Sequence, residues 1–170
     1  MADLTAYGIP VKEKDIDRRC KEIEPLDVKR GKYALHDLVG YCIDRAKDAY
    51  ILGMPDVCSL FSGKSIEEAL SIAYRRKKES KKIPPFKKLV EWAKKEGVLD
   101  ASHARIAHVL RGIRNDYAHA FFSVLERKLK KSSHRAPFTD NEALGAYEKA
   151  VNVLAYTYRN NTVKQLAMDF

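Results

Sequence analysis

Arg111-Gly112-Ile113-Arg114-Asn115-Asp116-Tyr117-Ala118-His119-Ala120 is where the helical pattern of this chain has to be interpreted. Upstream, Ile106, Val109, Leu110 and Ile113 keep the i, i+3, i+4, i+7 spacing of a helix with one buried face. Downstream, a second stripe runs through Tyr117, Phe121, Val124 and Leu125. Gly112 and Asn115 separate the two, and Asn is a favoured N-cap because its side-chain oxygen accepts from an unpaired N–H one turn on. The pattern therefore predicts one helix ending near Arg114 and a new one starting at Asn115, with Arg114 just outside it and His119 in its first turn. At about 100° per residue, His119 falls away from the apolar stripe. An Arg, a titratable His and the free N–H groups of a helix start together describe an anion site that suits a phosphate.

Outward from this junction the chain reads as helices throughout. Leu35, Leu38, Val39, Cys42, Ala46, Ala49 and Tyr50 make one stripe over Lys32 to Leu52, closed by Gly53 and Pro55. A helix over about Asp56 to Glu79 buries Ile66, Ala69, Leu70 and Ala73 and ends in Arg75-Arg76-Lys77-Lys78, cations that suit a helix C-terminus. Lys81 to Pro85 reads as a linker. Phe86, Leu89, Val90 and Ala93 give a short helix up to Gly97, with Trp92 on its flank, and Asp100 caps the helix that leads into Arg114. The helix from Asn115 extends to about Lys131, followed by a loop over Ser132 to Phe138. Thr139-Asp140-Asn141-Glu142 fits a capping box opening a last helix with Leu144, Tyr147, Val151, Leu154, Ala155 and Tyr158 inside. Met1 to Val11 reads as a loose lead-in, and Lys12 to Glu24 as a short helix stopped by Pro25. No β alternation or internal repeat occurs, so the expected architecture is an all-α, up-and-down bundle of five to seven helices.

The 170 residues suffice for one domain, and 45% hydrophobic content suffices for a core. Thirty-two Lys and Arg against 23 Asp and Glu leave a formal charge of +9, which favours an anionic partner such as nucleic acid. Cys20, Cys42 and Cys58 are odd in number and never paired as CxxC, which argues against a disulfide frame or zinc knuckle and for a reducing compartment. Neither a leader nor an apolar run long enough to span a membrane is seen, so a cytoplasmic protein is expected. His103 and His108 lie five apart, off one helical face, and make no metal site; no cofactor motif is present.

Arg114-Asn115-Asp116-Tyr117-Ala118-His119 resembles the signature of the HEPN superfamily, an Arg and a polar residue followed by a His after four to six positions. Arg30 with His36 and Arg127 with His134 satisfy the bare spacing too, but Arg114 alone has Asn next to it at a helix junction. Gly63-Lys64-Ser65-Ile66-Glu67-Glu68-Ala69-Leu70 resembles the Gly-Arg-x-Leu-Glu helix of one branch, with Lys64 where that branch often has Arg. Phe86-Lys87-Lys88-Leu89-Val90 and Gly97-Val98-Leu99 fall where it has its short helix and following turn. The resemblance covers roughly Lys32 to Tyr158, so residues 1–30 read as an N-terminal extension ahead of a HEPN-like helical domain over 31–170.

The resemblance implies a bundle that dimerises, bringing two Arg and His pairs into one cleft, and in active members a metal-independent endoribonuclease of defence or toxin type. Arg114 would hold the charged phosphorane, His119 would serve as acid and base, and Asn115 would position them. Glu67 would orient Arg114 or form a solvated ion pair with it. Lys64, Arg75, Arg76, Lys77, Lys78, Arg111 and Arg127 are the candidate RNA contacts, and Tyr7, Tyr33 and Tyr117 could stack on bases. A cognate antitoxin or regulatory protein is the other partner expected. The rival reading is a non-catalytic HEPN-like module that binds nucleic acid or protein. Mannitol-operon repressors carry a similar Arg-Asn-x-x-Ala-His run. In a purely structural reading, Arg114 would only satisfy carbonyls at the end of the preceding helix.

Overall fold

The computed structural model describes residues 12–32, 35–127 and 139–159, with residues 116–127 described by their backbone alone. Among them are six helices and no strand: α1 (Glu13–Arg30), α2 (Asp37–Ile51), α3 (Pro55–Lys78), α4 (Phe86–Lys95), α5 (Ala101–Arg127) and α6 (Asp140–Arg159). The expected all-α bundle is observed. The lead-in over Met1 to Val11, Tyr33 and the loop over Ser132 to Phe138 lie outside the described residues.

Helix α3 is the axis, in contact with α2, α4, α5 and α6. A helix surrounded by others must be small on most sides, and α3 buries Cys58, Ser59, Ser62, Gly63, Ser65, Ala69 and Ala73, with only Ile66 and Leu70 bulky. Around it sit Val39, Ile43 and Tyr50 of α2, Leu89 and Val90 of α4, Leu110 of α5 and Tyr147, Val151 and Leu154 of α6, all buried. Burial of side chains this size stabilises by roughly 1.5–3 kcal/mol each.

Several helix ends are set by local chemistry, as expected. Gly53 and Gly97 take the left-handed conformation, φ 72° and 73°, that ends α2 and α4. Asp100 Oδ1 accepts from the His103 N–H at 2.8 Å at the start of α5. At α6, Thr139 N–H donates to Glu142 Oε2 at 2.9 Å while Glu142 N–H donates to Thr139 Oγ1 at 3.2 Å, the reciprocal pair of a capping box.

Leu38 and Val109, read as members of apolar stripes, are exposed instead, and two expectations about helix boundaries are overturned as well. Pro25 does not stop a short helix: α1 continues through it to Arg30. The missing N–H bond is offset by tertiary contacts on both sides. Arg18 and Arg19 bind Asp140 of α6, Ile23 is buried, Lys47 binds Asp27 at 3.0 Å, and Arg30 pairs with Asp44 of α2. Residues 13–30 thus form a helix that packs against α2 and α6.

The second correction concerns the junction itself. Gly112 and Asn115 lie inside a continuous α5, so no helix ends at Arg114 and none begins at Asn115. Glycine in a helix costs only about 1 kcal/mol. Keeping Leu110, Ile113 and Arg114 in register against the core outweighs it.

Candidate functional site

The site begins at a glycine. A Cβ placed on Gly63 of α3 would lie 2.9 Å from Arg114 Cβ and 3.0 Å from the Leu110 carbonyl oxygen, so the two helices cross here at a distance only glycine permits. One turn along α3 from that crossing, Glu67 receives Arg114: Nη2 donates to Oε2 at 3.0 Å and to Oε1 at 3.4 Å. Arg114 Nη1 donates to Asn115 Oδ1 at 3.2 Å. The Arg114 side chain is 31% exposed and that of Glu67 15%, so the carboxylate is sunk and the guanidinium partly presented to solvent. The ion pair is therefore more than a fully solvated one, and Glu67 fixes where the cation sits.

Lys64 closes the other side of Glu67, its ammonium 3.1 Å from Glu67 Oε2 and 2.6 Å from Glu68 Oε1. Burial works against that charge, but the hydrogen bonds to Glu68 and Glu67 outweigh it and hold Lys64 above the ordinary lysine value. Lys64 is thereby a member of the carboxylate cluster.

The continuity of α5 changes the chemistry expected at residue 119. No helix N-terminus exists at Asn115, so the free N–H groups invoked for a bound anion are absent, and Asn115 serves Arg114 rather than the backbone. Residues 114 and 119 lie on one helix, their Cα positions rotated by about 140° and separated by about 7.5 Å along the axis. The side chains of His119, Tyr117 and Arg127 lie outside the described residues.

The remaining candidate RNA contacts divide by environment. Lys77 and Lys78 at the end of α3 both bind Glu96, at 2.8 and 3.4 Å. Arg75 is exposed, and Arg76 lies within electrostatic reach of the Tyr158 phenol. Arg111 is half-buried, with its Nε covered and without an acceptor among the described residues. The sequence pattern did not mark one member of this surface as an RNA contact: His108 lies within electrostatic reach of Arg111 on its own helix and of Lys87, Glu91 and Lys94 on α4. The i, i+4, i+7 spacing of those three α4 residues was the available signal. His103 is engaged structurally, its Nδ1 2.9 Å from Asp100 Oδ1 and its ring stacked on Tyr156 at 3.9 Å between centroids.

Among the described residues no group of three or more His, Cys, Asp or Glu could hold a metal ion, and no helix is long and apolar enough to cross a membrane. Cys58 is buried, which pushes its thiol up to about 12, and burial raises Cys42 as well, so neither is a thiolate nucleophile at neutral pH. What the geometry offers is a carboxylate-anchored arginine at a tight helix crossing, with cations along the neighbouring helix. In comparisons with known proteins, the chain matches no family model, no curated protein and no solved structure.

Proposed function

We propose that this chain is a HEPN-like, metal-independent endoribonuclease of defence or toxin type. The observation that carries the reading is Arg114: anchored by Glu67 at the Gly63 crossing, flanked by Asn115, part-exposed, and on the same helix as His119. RNA cleavage by transesterification asks for a proton acceptor at the ribose 2′-hydroxyl, a proton donor at the departing 5′-oxygen and a cation beside the phosphorane. His119 takes the 2′-hydroxyl proton as the oxygen attacks phosphorus, then returns it to the leaving 5′-oxygen. Arg114 holds the extra negative charge, and the products are a 2′,3′-cyclic phosphate and a free 5′-hydroxyl.

The rotation of about 140° between positions 114 and 119 argues for a homodimer, in which Arg114 of one copy serves His119 of the other. A cognate antitoxin or regulatory protein that covers the cleft is the partner this reading calls for. One observation favours the non-catalytic alternative: Glu67 already neutralises Arg114, as it would in a module that only binds.

Incubation of a mixed RNA pool with purified protein in EDTA, wild type beside R114A and H119A, separates the two. Cyclic-phosphate ends that disappear in both variants, with a loss of at least about a hundredfold, support the nuclease. Intact RNA with salt-sensitive binding retained would sink it and favour the binding module.

A further inference from the structure

The cations of this chain are not equally available. Lys64 is occupied by Glu67 and Glu68, and Lys77 and Lys78 share Glu96. A paired ammonium has less to gain from a phosphate than an unpaired one, because a counterion already sits beside it. On α4, Lys87 and Lys94 are seven residues apart and so nearly in line along the helix, about 10 Å from one another along the axis. Both are exposed, and among the described residues neither forms an ion pair. Across from them α5 packs on α4 and presents Arg111, also outside any ion pair with a described residue, and His108 one turn before it. Glu91 is the single carboxylate among the charges acting on His108 there, against three cations.

Arg111 adds a second kind of observation. Its Nε is covered and meets no acceptor among the described residues, so it lacks the carboxylate anchor that Glu67 gives Arg114. Arg111 is also one turn before Arg114 on α5, which makes the surface continuous with the candidate site. The order along it is Lys87 and Lys94 on α4, His108 and Arg111 on α5, then Arg114.

We infer that this α4–α5 face, formed by Lys87, Lys94, His108 and Arg111, is the track for the RNA phosphate backbone leading to Arg114. Lys77 and Lys78, occupied by Glu96 at the end of α3, have no part in it. The inference rests on RNA being the substrate but not on cleavage. Cations spaced along two helices suit successive phosphates of a strand better than a single small anion, and three cations against the one carboxylate of Glu91 suit a polyanion. His108 adds a fourth cation when protonated, and a phosphate beside it favours that form.

The test uses the full-length protein and a short fluorescein-labelled 2′-O-methyl RNA of mixed sequence, which lacks the 2′-hydroxyl nucleophile and so reports binding alone. Anisotropy is followed across a salt series for wild type, K87A/K94A, R111Q and K77A/K78A, with a thermal melt confirming that each is folded. Unmodified RNA cleavage is run in parallel. The expected result is affinity reduced on the order of tenfold in K87A/K94A, with the slope of log K against log salt shallower by about 0.7 for each phosphate that is no longer neutralised. R111Q should move the same way and K77A/K78A should leave both unchanged. Wild-type cleavage with unaltered binding by K87A/K94A and R111Q would overturn the track while leaving the nuclease reading standing, as would a larger loss of affinity in K77A/K78A. A wild type that neither binds nor cleaves would overturn both.

Discussion

At the scale of single residues, Glu67 decides what Arg114 can do. A guanidinium held at 3.0 Å by a largely buried carboxylate loses little freedom when it meets a phosphate, because its orientation is already fixed. Under the proposed nuclease reading, E67A should lower RNA cleavage by roughly ten- to a hundredfold through misplacement, less than R114A, while RNA affinity stays close to wild type. Measuring kcat and KM separately checks this. His108 makes a second residue-scale prediction. Burial, then Arg111, Lys87 and Lys94, opposed by Glu91, hold its imidazole below the ordinary value. Near that range the unfolded chain binds more protons than the folded one. Stability is then complete above the unfolded value near 6.5 and is lost as pH falls below it. Denaturant titrations should show this loss in wild type and a flatter profile in H108Q. A separate loss below pH 4.5 persists in both, because the Tyr50 hydroxyl holds Glu22 low, and Asp140, despite its burial, is held low by Arg18 and Arg19.

At the scale of elements, two glycines in the same neighbourhood predict opposite outcomes. Gly63→Ala would drive a methyl into Arg114 Cβ and the Leu110 carbonyl, an overpacking of roughly 1–3 kcal/mol that exceeds the ~1 kcal/mol gained by replacing a helical glycine. The melting temperature should fall, and Arg114 should be displaced with it. Gly112 has no atom within 4 Å of an added Cβ, so Gly112→Ala should raise stability by up to about 1 kcal/mol in the same melts. This contrast also explains what was legible in the sequence. Asp100, the Thr139 and Glu142 pair, and Gly53 ahead of Pro55 act within a few residues of themselves, so their consequences could be read locally. The continuity of α5 could not be read that way, because what keeps Gly112 and Asn115 helical is packing against α3, which comes far earlier in the chain. Arg114 was identifiable from its neighbours in sequence. That it is anchored by Glu67, and that Lys64 is spent on Glu67 and Glu68, needed the crossing of the two helices.

At the scale of the whole molecule, the proposed dimer makes a prediction that no monomer could satisfy. If Arg114 of one copy serves His119 of the other, R114A and H119A are each inactive alone. Mixed and allowed to exchange subunits, half the dimers are mixed and each regains one intact site, so about a quarter of the wild-type rate should return. Sedimentation of the mixture verifies that dimers are present, and no recovery would mean that each copy builds its own site. Within one copy, the first and last described helices are mutually dependent. Arg18 and Arg19 meet Asp140 at 2.7 and 3.0 Å, and Lys29 reaches Asn152, across more than 120 positions of sequence. On the ribosome, α1 emerges well before α6 and finds those partners only after α6 has followed, a wait on the order of ten seconds at ordinary synthesis rates. During that interval Ile23 has no completed α6 to pack beside it, and the growing chain offers nascent-chain chaperones a helix to hold until α6 has been made.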